Sequence, residues 1–128
     1  MIKFKIIQYN MQKQKNEMMI SLLRKAACEE VHVLVLQEFW QNSHMNVIYC
    51  SSNCDYWSVY SSRYQSRVCL LISKMLSHDS WTVEHLQSDI VSVILQLNDI
   101  MMHVYSIYIL SSDELHKIDC NFSIFRIL

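Results

Sequence analysis

Apolar and polar positions along the chain fall into blocks, and the period changes from block to block. Residues 4–9, Phe-Lys-Ile-Ile-Gln-Tyr, are rich in β-branched and aromatic side chains and predict a short strand. A polar stretch over 10–16 follows. Met19, Leu22, Leu23 and Ala26 then recur at three- and four-residue spacing, which predicts an amphipathic helix over 17–28. Glu29 and Glu30 close it. Val31, Val33, Leu34, Val35 and Leu36 form a nearly continuous apolar run, the pattern of a strand buried on both faces. A right-handed strand–helix–strand crossover sets the two strands parallel with their C-terminal ends at one edge. Asn10 and Glu38 fall just past those ends.

Residues 39–53 are polar and irregular and read as a long loop, a kind of segment that commonly carries function. Short β-like segments follow at 56–60, 67–72, 81–85, 90–97 and 101–109, and Asn98-Asp99 between the last two is a hairpin turn signal. Ser112 followed by Asp113 and Glu114 resembles a helix N-terminus, so a helix is expected over 111–128. The pattern is a βαβ start followed by an antiparallel meander: a layered α/β arrangement lacking its closing elements, one partial domain over 1–128.

The composition narrows the chemistry. With 52% hydrophobic and 18% charged residues, there is material for a core and no signature of disorder. Average usage would give roughly 9 Gly and 6 Pro in this length; the chain has none of either. Glycine-rich phosphate loops, dinucleotide fingerprints and nucleophile elbows are thereby excluded, since each needs backbone free of a Cβ. Tight turns must come from Asn, Asp or Ser. Decay of Gly and Pro codons is one explanation of the deficit, and an AT-rich coding bias is the alternative.

A net charge of −1 gives no global argument for a polyanionic partner. Six of the 11 basic residues, Lys3, Lys5, Lys13, Lys15, Arg24 and Lys25, lie in the first 25 positions, as a local patch or as solvated positions. Cysteines at 28, 50, 54, 69 and 120 are odd in number and form no disulfide framework, so a reducing, intracellular setting is expected. The N-terminus has no signal-peptide apolar region. The longest apolar stretch, 100–110, is interrupted by His103 and too short to span a bilayer, so no membrane segment is expected.

Carboxyl ends of strands in α/β sheets are where ligands bind. There Asn10 and Glu38 offer an amide oxygen and a carboxylate, hard donors suited to a magnesium ion that keeps several waters. By residue type alone, a turn Asn and a solvated Glu are equally ordinary. Cys50, Cys54 and His44 have spacing tolerable for zinc, but a structural site needs four ligands and no second pair follows. Tyr49, Tyr56, Trp57, Tyr60 and Tyr64, with Arg63 and Arg67, could stack on bases and hold phosphates, or pack on the sheet with the arginines in solvent.

The ordered strings IIQYN at 6–10, VLVLQEFWQN at 33–42, SRVCLLISK at 66–74, SVILQLND at 92–99 and HVYSIY at 103–108 together resemble the endonuclease/exonuclease/phosphatase superfamily. More narrowly, they resemble the endonuclease domain of non-LTR (LINE-like) retrotransposons of fungal type. The resemblance implies the N-terminal part of a four-layered α/β sandwich, incomplete here. It puts the family's first-strand Asn on Asn10, its metal-ligand Glu on Glu38 and its phosphate-contacting Tyr on Tyr108, with Ser106 where the family has Asn. It also implies a bound Mg2+, with Mn2+ as substitute, DNA as partner, and the nucleus as location.

The family's later Asp-x-Asn and Ser-Asp-His motifs have no convincing counterpart. Asp119-Cys120-Asn121 fits by letters but lies only 11 positions beyond Tyr108, and reads as part of the expected helix. None of the histidines, at 32, 44, 78, 85, 103 and 116, stands in a Ser-Asp-His context, so a general base is not identified. Two readings stand. One is a remnant of a magnesium-dependent DNA endonuclease, a phosphodiester hydrolase inactive by itself; the other is a non-catalytic nucleic-acid-binding or non-functional retroelement fragment. No DNA-contacting residue is assigned, and whether the chain is itself an enzyme is left open. A sandwich without closing strands is further expected to be of low stability and to self-associate through uncovered sheet edges.

Overall fold

The computed structural model describes residues 4–11, 16–38, 55–61, 66–108 and 121–127. The loop at 39–53, the zinc candidates His44, Cys50 and Cys54, the basic residues Lys3, Lys13 and Lys15, and Tyr49, Arg63, Tyr64, Asp119 and Cys120 lie outside the described residues.

The expected βαβ start is present: β1 (Ile6–Asn10), α1 (Asn16–Cys28) and β2 (Val33–Gln37). β1 and β2 are parallel, with Asn10 opposite Gln37. α1 ends as its sequence requires. Val31 N–H donates to the Ala26 carbonyl at 2.9 Å and Glu30 N–H to the Ala27 carbonyl at 3.1 Å, the paired bonds of a Schellman motif. Glu30 takes the left-handed position with φ 56°, where glycine is the usual choice. Those two residues of turn displace the start of β2 from Val31 to Val33.

β3 (Tyr56–Val59) and β4 (Val68–Ser73) complete the first sheet, whose order is β1-β2-β4-β3. β4 lies antiparallel between β2 and β3, so the strand nearest in sequence to β2 is not its neighbour in space. β5 (Trp81–Leu86), β6 (Ile90–Leu97), β7 (Ile100–Tyr108) and β8 (Asn121–Ile127) form the second sheet in sequential antiparallel order, the meander that the sequence predicts. Asn98 and Asp99 make its two-residue hairpin, with Asn98 at φ 54°. The helix expected over 111–128 is corrected by β8: residues 121–127 are a strand paired to β7, with Asn121 opposite Tyr108. Phe-Ser-Ile-Phe-Arg-Ile favours β structure, and the open edge of β7 supplies hydrogen-bond partners that an isolated short helix lacks.

Two cores explain why β2 and β4 do not alternate. Leu34, Leu36, Cys69 and Leu71 face α1 with Met19 and Ala26, while Val33, Val35, Val68, Leu70 and Ile72 face the second sheet and meet Val91, Val93, Leu95 and Val104. Both faces are covered, so both sets must be apolar. Among the described residues no helix is long and apolar enough to cross a membrane.

At the end of the first sheet away from Glu38, the ring of His32 stacks on Phe4 with centroids 4.7 Å apart, and its Nδ1 accepts the Lys5 backbone N–H at 3.0 Å. Burial is the largest influence and lowers the pKa of His32; Lys5 adds to this and Glu30 opposes it. The acceptor role demands an unprotonated Nδ1. The unfolded chain therefore binds a proton that the folded chain resists, so stability declines as pH falls below the ordinary value of 6.5 and is unaffected above it. His32→Asn retains an acceptor without titrating. Chemical denaturation at pH 7.5 and 5.5 is expected to show a smaller acid loss for His32→Asn than for the parent; equal losses would refute the assignment.

Candidate active site

The parallel register of β1 and β2 brings Asn10 and Glu38 to one edge. Asn10 is the last residue of β1, and the Met11 N–H beyond it donates to the Gln37 carbonyl at 2.8 Å. Glu38 leaves β2 in the left-handed region, φ 50°, with its N–H donating to the Arg67 carbonyl at 2.8 Å. A non-glycine residue held there is strained, and such strain concentrates at functional positions. The expectation that turns would draw on Asn, Asp and Ser is corrected here too: of the described residues with positive φ, two are glutamates, Glu30 and Glu38, and one is Asn98.

Tyr108 closes β7 at the same edge. Its N–H donates to the Asp89 carbonyl at 2.9 Å, and its ring lies 5.4 Å below the Arg67 guanidinium carbon. Arg67 thus touches both candidate elements, Glu38 through its backbone and Tyr108 through its side chain. Arg67 Nη1 also donates to Asp89 Oδ1 at 3.0 Å. Residue type alone leaves Arg67 unplaced; it reaches this edge because β4 runs antiparallel to β2, which sets Val68 opposite Gln37.

Beneath the edge lies a buried polar link that sequence reasoning missed. Gln37 has no solvent exposure; its Oε1 accepts from Gln8 Nε2, and its Nε2 donates to Ser106 Oγ at 3.2 Å. Ser106 Oγ donates onward to the Leu36 carbonyl at 3.0 Å. Ser106 therefore joins the two sheets. Its signal in the sequence was a polar residue within an otherwise apolar inward row, Met102, Val104, Ser106.

A second polar cluster lies on the second sheet. Glu84 Oε1 accepts from Ser92 Oγ at 3.0 Å, Glu84 Oε2 lies 3.2 Å from His103 Nδ1, and His85 Nδ1 is 2.7 Å from Ser92 Oγ. Burial raises the Glu84 pKa most strongly of any single influence, yet hydrogen bonds from His103, Ser92 and Tyr105 and the nearby imidazole together hold the carboxyl below its ordinary value. Ser92 is fully buried, so this Ser–His contact offers a substrate no access. Among the described residues no group of three or more His, Cys, Asp or Glu is arranged to hold a metal. One carboxylate and one amide oxygen at neighbouring strand ends fit instead an ion that retains most of its water, as Mg2+ does.

A solved structure, the endonuclease domain of TRAS1, a telomere-specific non-LTR retrotransposon, matches this fold with a TM-score of 0.63 over 90% of the chain at 15% identity. The chain spans 48% of that structure's length. Neither a protein-family model nor a curated protein matches the sequence. The architecture is thus the mixed α/β, two-sheet fold of a retrotransposon endonuclease domain, as the ordered strings suggested.

Proposed function

We propose that this chain is the metal- and phosphate-holding part of a magnesium-dependent DNA endonuclease of retrotransposon type, acting where such DNA resides, in the nucleus, and inert in strand cleavage by itself. The observation that carries the reading is the convergence of Asn10, Glu38 and Tyr108 on one sandwich edge, with Arg67 touching both Glu38 and Tyr108. Asn10 and Glu38 would hold the ion, and the Tyr108 hydroxyl would donate to a phosphate oxygen. A bound Mg2+ would polarise the scissile phosphate. The Glu38 carboxylate at the end of β2 would orient the ion, and Tyr108 would limit how a phosphodiester can lie. On this reading residues 1–128 correspond to the first half of such a domain, in keeping with the share of the TRAS1 domain covered.

Cleavage needs a base to take a proton from the attacking water. Of the described histidines, His32 precedes the opposite end of β2, His78 belongs to a single helical turn before β5, and His85 and His103 belong to the Glu84 cluster. None is in contact with Asn10, Glu38 or Tyr108 among the described residues. The chain is therefore expected not to nick supercoiled plasmid in Mg2+; nicking that Glu38→Ala abolishes would overturn that clause.

The metal site has its own test. Titration with Mn2+ followed by NMR is expected to broaden the Asn10 and Glu38 resonances first, and Glu38→Ala is expected to weaken the effect at least tenfold, since it removes the only carboxylate of the pair. Broadening that begins at Glu84 and His103, or that survives Glu38→Ala, would refute the site.

A further inference from the structure

We propose that Arg67 is the residue that engages the phosphodiester backbone of duplex nucleic acid at this edge; the inference rests on the reading of the edge given above and assigns a contact which that reading left open. The backbone of Arg67 is tied on both sides. Its N–H donates to the Ser88 carbonyl at 2.9 Å, and its carbonyl accepts from Glu38 at 2.8 Å, so the residue is stitched between the two sheets where they meet. Its position is fixed to the candidate metal ligand by a single hydrogen bond.

The side chain is held without being consumed. Asp89 accepts one hydrogen bond, from Nη1, and the Tyr108 ring supports the guanidinium at 5.4 Å without accepting any. Most of the five N–H donors of the fork remain for another acceptor. With side-chain exposures of 41% for Arg67 and 50% for Asp89, the ion pair is a solvated one and weak. A competing anion therefore gives up little by drawing the guanidinium toward itself, while the ring keeps the planar group at a set height above Tyr108. Planar, bidentate recognition of phosphate is the chemistry for which arginine, and not lysine, is suited.

Charge gives the need. Glu38 and Asp89 are both anionic, and a phosphodiester approaching Tyr108 would meet repulsion from each. Arg67 is the described cation that touches this edge, so it supplies attraction that does not wait for a metal. On the reading above, the anion that meets Tyr108 is a phosphodiester, so the occupant is a nucleic-acid backbone and not a small anion. A net charge of −1 for the whole chain means that attraction must be local, and among the described residues this side chain supplies it at the edge.

The test is fluorescence anisotropy of a short labelled duplex with the full chain, in EDTA, over a series of NaCl concentrations. Each phosphate contact contributes about 0.9 to the slope of log K against log salt. Arg67→Ala is expected to weaken binding roughly tenfold and to reduce the slope by about one. Arg67→Lys is expected to keep the slope and lose several-fold in affinity, because it retains the charge and not the fork. Lys74→Ala, at the far end of β4, is expected to match the parent. Inorganic phosphate at matched ionic strength is expected to leave binding unchanged.

Absence of duplex binding by the parent, or an Arg67→Ala variant with the parent's affinity and slope, would overturn the proposal. If Arg67→Ala lacks the parent's thermal transition, Arg67→Lys decides: parental affinity overturns the role of the fork, and weakened affinity at constant slope upholds it. Displacement of the duplex by inorganic phosphate would make this a small-anion site and overturn the assignment to nucleic acid. EDTA is present throughout, so the result is independent of whether Asn10 and Glu38 hold a metal, and failure of the manganese titration and failure here are separate findings.

Discussion

Replacing Leu70 by Ala is expected to cost about 2–5 kcal/mol of stability, the range for truncating a fully buried Leu. Leu70 sits in the middle of β4 with a paired strand on each side, Val35 of β2 and Val59 of β3 directly opposite. Its side chain has no exposure and packs in the core between the sheets with Val91, Val93, Leu95 and Val104. Removing three carbons leaves a space that neither sheet can close, because register on both flanks fixes the β4 backbone. Ordinary domains have a total of roughly 5–15 kcal/mol, so the loss is a large part of what holds the chain folded. Urea denaturation compares the parent with Leu70→Ala. A loss below about 1 kcal/mol would mean that the sheets are not packed on each other at this point.

Much of this fold was legible where the signal is local. The three- and four-residue spacing of Met19, Leu22, Leu23 and Ala26 gave α1, the doubly apolar run gave β2, a short β-like segment gave β4, and Asn98-Asp99 gave the hairpin. Asn10 and Glu38 could be brought together because a βαβ unit has a fixed hand and a parallel register. What resisted reading depends on partners distant in sequence. The place of β4 between β2 and β3 is not encoded near either strand, and with it went the location of Arg67 and its ion pair with Asp89.

Residues 121–127 looked like the end of a capped helix because Ser112, Asp113 and Glu114 are a local cue, whereas the open edge of β7 that recruits β8 is a tertiary one. Glu30 and Glu38 in left-handed backbone were invisible for a related reason. Glutamate carries no turn preference, and only the geometry of a Schellman motif in one case, and of a strand end clasped by the Arg67 carbonyl in the other, demands the conformation.

Gln37→Glu is expected to lower stability by about 4 kcal/mol near pH 7 and to recover most of it near pH 5. Burial of a carboxyl raises its pKa by up to roughly 3–5 units, and each unit corresponds to about 1.36 kcal/mol. Gln37 is fully buried, and the Gln8 amide and the Ser106 hydroxyl that bond its side chain are both uncharged. Neither of these two groups brings a positive charge to pair with a new carboxylate, and Glu38 is the next residue along the chain. The sign is opposite to that of His32. A carboxyl whose folded pKa lies above its unfolded value binds a proton more tightly when folded, so the variant loses stability as pH rises from the ordinary carboxylate range toward the raised value. Once protonated, the acid can donate to Ser106 Oγ as the amide does, and the link between the sheets is restored. Denaturation of parent and variant at pH 5 and pH 7.5 therefore gives a difference that grows with pH, while the parent alone becomes less stable toward acid. A difference constant across that interval would mean that water reaches position 37, and that the strand end presenting Glu38 is not held to β7 by a dry polar link.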